Sequence, residues 1–166
     1  MKWLFSIAAL ILLVGCAQKT VVPLSPQTGF DEAPGLERHD FDQITPPLVE
    51  DMWVYPWHRD FVTQHHRLPA IYVQPIDNQT QEAIDLVAAQ RSLQQALLAS
   101  KQVMLVEKDS AADFVMTLRI TRQLTQTDSE RRSLYALRWQ LSAVGQAIPV
   151  WQAENKIEKM QRIQRF

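Results

Sequence analysis

The sequence predicts a small α+β domain, an α/β mixture in which a mixed sheet carries one long helix after its first strand and ends in a C-terminal antiparallel meander. Three observations carry this expectation. Across 81–100 the apolar residues Ile84, Val87, Ala88, Leu93, Leu97 and Leu98 recur at helical spacing, uninterrupted by glycine or proline. Short apolar runs, rich in β-branched residues, flank that helix at 70–76 and 103–106. From 134 to 143, Tyr135, Leu137, Trp139, Leu141 and Ala143 alternate with Leu134, Ala136, Arg138 and Gln140, which marks a strand with one wet face.

The elements follow in order from the amino terminus. Lys2 heads an almost wholly apolar segment from Trp3 to Val14. It falls short of the roughly 20 residues of a bilayer-spanning helix and has the charged start and short apolar core of an export signal. The segment closes on Leu13, Val14, Gly15 and Cys16, and Cys16 is the single cysteine in the chain. This run resembles the lipobox of bacterial lipoproteins, in which diacylglycerol is attached to the cysteine and the chain is cleaved before it. The expected organisation is a signal peptide over 1–15, a lipidated proline-bearing linker over 16–50 and a globular domain over 51–166. With Cys16 lipidated, no thiol remains for a disulfide, and packing alone holds the core. Two or more acyl chains anchor a protein stably where a single one binds marginally. Ala17, in place of the aspartate that retains lipoproteins at the inner membrane, directs the expectation to the periplasmic face of the outer membrane.

Pro23, Pro26, Pro34, Pro46 and Pro47 punctuate the stretch read as linker. Prolines among polar residues keep a chain extended, so some thirty residues span on the order of 100 Å at most. Leu48, Val49, Met52 and Trp53 have helical spacing, and Pro56 ends or kinks that helix. The density of Trp53, Val54, Tyr55, Trp57 and Phe61 fits either a capping segment laid on the domain or an exposed docking patch. Trp53 and Trp57 are accordingly the candidate partner-binding residues, whereas Trp139 belongs to a buried face. After the first strand, Asp77 and Asn78 suit a turn. Phe114, Val115, Met116, Leu118 and Ile120 read as a third strand, 123–132 as a polar hairpin loop, and 148–157 as a last strand. The tail spaces Lys156, Lys159, Arg162 and Arg165 against Ile157, Met160, Ile163 and Phe166, as in a basic amphipathic helix.

Charge and motifs narrow the function. The formal net charge is −1, with both signs interspersed, so no field invites nucleic acid. His39, His58, His65 and His66 stand in no metal-ligand spacing. Gly145 alone follows Gly35 among the glycines, which leaves no glycine-rich phosphate loop, and no Gly-x-Ser-x-Gly elbow occurs. Asp77, Glu82 and Asp85 form the nearest acidic group, with turn formation and helix-start electrostatics as the local alternative to chemistry. No catalytic residue and no metal site is expected.

The order of the pieces resembles a family. A strand leading into Asp77, Asn78, Gln79 and Thr80, a helix closing on Leu97, Leu98, Ala99 and Ser100, and the apolar run 103–106 are similar to the LpoB family of penicillin-binding protein activators. Ala112, Asp113, Phe114 and Val115 resemble its alanine-aspartate strand opening, and Trp151, Glu154, Ile157 and Lys159 its ending. The resemblance implies a domain akin to the amino-terminal domain of TolB and to CsgG. It also implies an outer-membrane lipoprotein that regulates a bifunctional penicillin-binding protein by binding it, with no enzymatic activity and no cofactor beyond the lipid on Cys16. Two departures, a short 107–111 connection and a short linker, suit the alternative, a structural lipoprotein of a secretion, pilus or flagellar assembly.

Overall fold

The computed structural model describes residues 35–162. In chain order they form α1 (Arg38–Met52), α2 (Trp57–His65), β1 (Ala70–Val73), β2 (Asp77–Asn78), α3 (Leu86–Ser100), β3 (Met104–Val106), a 3-10 turn (Asp109–Ala111), β4 (Phe114–Gln126), β5 (Glu130–Ala143) and β6 (Trp151–Arg162). The sheet runs β3-β1-β4-β5-β6. β1 lies parallel to both β3 and β4, and the β4-β5-β6 half is antiparallel, so the predicted mixed sheet with a C-terminal meander is what forms.

One face of the sheet is covered. Ile71 and Val73 of β1, Phe114, Met116, Leu118 and Ile120 of β4, and Tyr135, Leu137, Trp139 and Leu141 of β5 are all buried. They join Phe41, Ile44, Leu48, Val49 and Met52 of α1 and Ala89, Leu93 and Leu97 of α3 in one core, with α1 and α3 packed side by side. Alternation puts Thr117, Arg119, Arg138, Gln140 and Glu154 on the opposite face, where none of them is fully buried.

α1 corrects the linker boundary. Phe41, Ile44, Leu48, Val49 and Met52 follow the i, i+3, i+7 pattern of a buried stripe, so the domain begins near Leu36, which is itself buried, and not at residue 51. Pro46 and Pro47 sit inside the helix on its exposed side. The carbonyls they leave without an amide partner, on Asp42 and Gln43, belong to exposed residues where water can satisfy them. Asp40 accepts the Glu37 amide at 2.8 Å and closes the first turn. At the other end Trp57 Nε1 donates to the Met52 carbonyl at 3.0 Å.

The remaining differences are local. Asp77 and Asn78 form no turn: they resume pairing along β4 where β1 leaves off, Asp77 opposite Arg119 and Asn78 opposite Ile120. α3 starts at Leu86, five residues later than the periodicity suggests, because Asp85 caps it by accepting the Ala88 amide at 2.9 Å. The polar stretch 123–132 is mostly strand, closed by a tight turn in which Thr127 N–H donates to the Glu130 carbonyl at 2.8 Å. The basic tail is strand as far as Arg162 and not an amphipathic helix, since twelve backbone positions pair with β5. Residues 163–166 lie outside the described part.

Candidate partner-binding surface

Four side-chain groupings arise from this framework. The first is aromatic. The turn between α1 and α2 brings Trp53 to 5.6 Å from Trp57 and 5.3 Å from His58, while Trp57 meets Phe114 edge-on at 4.9 Å. Trp57 is therefore not an exposed anchor: it is buried, because its ring fills the corner where β4 begins and its indole N–H caps α1. Trp53 is half-buried against it. Trp139 is fully buried, as expected from its place in the alternation. His58 faces the Gln102 carbonyl at 2.9 Å, and His65 stacks on Phe61 at 4.2 Å.

The second grouping opens β4. Asp113 accepts Arg67 Nη1 and Nη2 at 2.7 Å each and the Ala70 amide at 2.8 Å. The Arg67 hydrogen bonds hold the Asp113 carboxyl below the usual aspartate range. Arg67 also lies over the Phe61 ring, 5.1 Å from its centroid.

The third grouping absorbs the acidic residues of the sequence, and it separates them. Glu82 is bound by Arg122 and by the Tyr135 hydroxyl. Burial, followed by the Glu82 carboxylate, pushes the Tyr135 phenol upward. Asn78 accepts from the Thr80 amide and hydroxyl and donates to the Glu82 carbonyl, which folds the 78–82 loop onto the sheet. With Asp77 on the far face and Asp85 capping α3, no carboxylate pair is assembled. Among the described residues no group of three metal-ligating side chains gathers.

The fourth grouping lies on the uncovered face. Asp77 Oδ2 accepts Arg119 Nε at 2.7 Å, and Glu154 Oε2 accepts Arg138 Nη2 at 3.1 Å. The Arg138 hydrogen bond holds Glu154 below the usual glutamate range. Nothing in the sequence singled out this row, because only the strand register brings Arg119 and Arg138 opposite one another. Cys16, the predicted lipidation site, lies outside the described residues.

The architecture and its sites define a small mixed α+β domain with one helix-covered and one open sheet face. Residues 40–112 match the model of the family described as peptidoglycan-synthase activator LpoB, which bears out the resemblance read from the sequence. The matched stretch takes in α1 from Asp40 onward, including the part that falls within the expected linker, and stops before β4. Among solved structures, the LpoB C-terminal domains of Salmonella enterica and Escherichia coli are each 15% identical and cover 71% of this chain and 98% of theirs, with a TM-score of 0.49. The NMR structure of E. coli LpoB is 14% identical and covers 88% of this chain and 79% of its own, also with a TM-score of 0.49. No curated protein matches.

Proposed function

We propose that this protein is an outer-membrane lipoprotein that activates a bifunctional peptidoglycan synthase by binding it, with no catalysis of its own. The observation that carries the reading is the match of 40–112 to the peptidoglycan-synthase activator family, which spans both helices that cover the sheet. The anchor is the lipid on Cys16, and the partner is a penicillin-binding protein at the inner membrane. Binding acts by holding the synthase in its more active conformation, to the extent that the domain prefers that conformation over the others.

The test is glycan polymerisation by the purified synthase with and without the full chain, together with co-purification of the two from solubilised envelopes. Stimulation and co-purification are expected for the wild type, and Cys16→Ser should leave the protein unable to fractionate with the outer membrane. Unchanged polymerisation and no recovered synthase would reject the reading. A second reading, a structural lipoprotein of an envelope-spanning assembly, is favoured by one observation: the domain begins near Leu36. The 20 or so residues from Cys16 to that point reach at most about 70 Å, whatever their conformation. Co-purification with a secretin, pilus or flagellar component instead of a synthase would establish it.

A further inference from the structure

β6 is paired on one side only. It is twelve residues long, its register with β5 runs from Trp151 opposite Leu141 to Arg162 opposite Glu130 without a slipped residue, and among the described residues no strand lies on its outer side. A proline, a bulge or a covering element commonly protects such an edge. Trp151–Arg162 holds no proline and no bulge, and α1 meets it through the Lys159 and Trp151 side chains on the helix-covered face. The backbone donors and acceptors along the outer side are open to another strand.

The order of charge on β6 selects that strand. Its side chains on the open face are Gln152, Glu154, Lys156, Glu158, Met160 and Arg162. Lys156 and Glu158 are 58% and 50% exposed, within reach of a neighbour. Laid antiparallel on a second copy of itself about Lys156, the strand would set lysine against lysine and Glu154 against Glu158; about Glu158, glutamate would face glutamate. Like charges directly opposite destabilise a pair of strands and opposite charges stabilise it. An axis at Ile157 removes every like pair: Lys156 faces Glu158 once on each side of the axis, Glu154 faces Met160, and Gln152 faces Arg162. An axis at Asn155 sets Lys156 against Glu154, but it leaves Met160, Gln161 and Arg162 beyond the end of the partner strand. The other margin of the sheet is no substitute. β3 covers only Met104–Val106, so a β6 seated there would leave most of its length unpaired. A twofold contact uses β6 of both copies and closes on itself, leaving only the short β3 at either margin.

We propose that β6 pairs with β6 of a second copy across a twofold axis at Ile157, joining two sheets into one, with the reciprocal Lys156 to Glu158 contacts fixing the register. This goes beyond the synthase-binding reading and does not depend on it. It is tested by sedimentation equilibrium of the full chain in density-matched detergent, beside the thermal midpoint of each variant. The wild type should dimerise. K156E and E158K should each weaken the dimer by about tenfold, because each sets two pairs of like charges face to face. The two substitutions move net charge in opposite directions, so an effect of net charge alone would not weaken both. K156E/E158K restores opposite charges in both contacts and should bring the dimer back to about the wild-type constant. E158K also separates the registers, since about Asn155 residue 158 faces the uncharged Gln152. The proposal is overturned if the wild type sediments as a monomer at every concentration, if either single variant dimerises as the wild type does, or if the double variant stays as weak as the singles. Dimerisation lost together with the thermal midpoint also overturns it, since the two side chains would then act through the fold.

Discussion

Asp113 takes three hydrogen bonds at the point where β4 starts, two from Arg67 and one from the Ala70 amide, and thereby joins the start of β1 to the start of β4. Removing it by Asp113→Ala should lower the unfolding free energy by about 1–2 kcal/mol, read from denaturant curves. The sign of the pH dependence follows from the depressed carboxyl. The stabilisation is complete above the unfolded aspartate value of about 4. It is lost as pH falls through the lower folded value, so the wild type and the variant should converge on acidification. Trp57→Ala should cost more, about 3–5 kcal/mol, because it empties a corner shared with Phe114 and uncaps the Met52 carbonyl. From the sequence, Trp53 and Trp57 were equivalent candidates. The difference lies in the turn between the helices, which folds Trp57 inward and leaves Trp53 half-covered, and residue type holds no record of that turn.

α1 shows why one element was legible only in its second half. Leu48, Val49 and Met52 were recognisable, and Phe41 and Ile44 continue the same stripe upstream. Pro46 and Pro47 hid that continuity, since a proline pair reads as a break unless both fall on the wet side of the helix. The alternation of β5, by contrast, was readable throughout its core-facing part, because a sheet buried on one side writes its period directly into the residues. The distal ends of β4 and β5 and most of β6 carry polar side chains, so only pairing with a neighbour defines them. α1 is fastened to β6 by two polar links, Asp40 to Lys159 at 2.9 Å and Asp51 to Trp151 Nε1 at 3.0 Å. Asp40 and Lys159 are both buried. Lys159→Met or Asp40→Asn alone should destabilise by about 3–5 kcal/mol, whereas D40N/K159M together should recover most of that loss, because no buried charge is left unpaired and the amide oxygen still accepts from Glu37. A double-mutant cycle in denaturant checks both parts.

The whole molecule depends on α1 as much as on the sheet. A chain beginning at Asp51 would keep every strand but lose Phe41, Ile44, Leu48 and Val49 from the shared core. It should therefore lack a cooperative thermal transition and dispersed amide resonances, whereas a chain beginning at Gly35 should show both. β6 is twelve residues long and forms an edge of the sheet, the kind of strand that invites another chain to pair with it. Lys159 projects from that edge into the helix-covered layer, where Asp40 of α1 faces its ammonium group at 2.9 Å. If α1 were to lift away, the seam it uncovers would lose the Asp40 carboxylate from beside that ammonium group. A second copy closing over that seam would have to bury the Lys159 charge without the Asp40 carboxylate. The salt bridge that docks the helix thus doubles as insurance against fibre growth: losing α1 should give a soluble, unfolded chain more readily than an ordered aggregate.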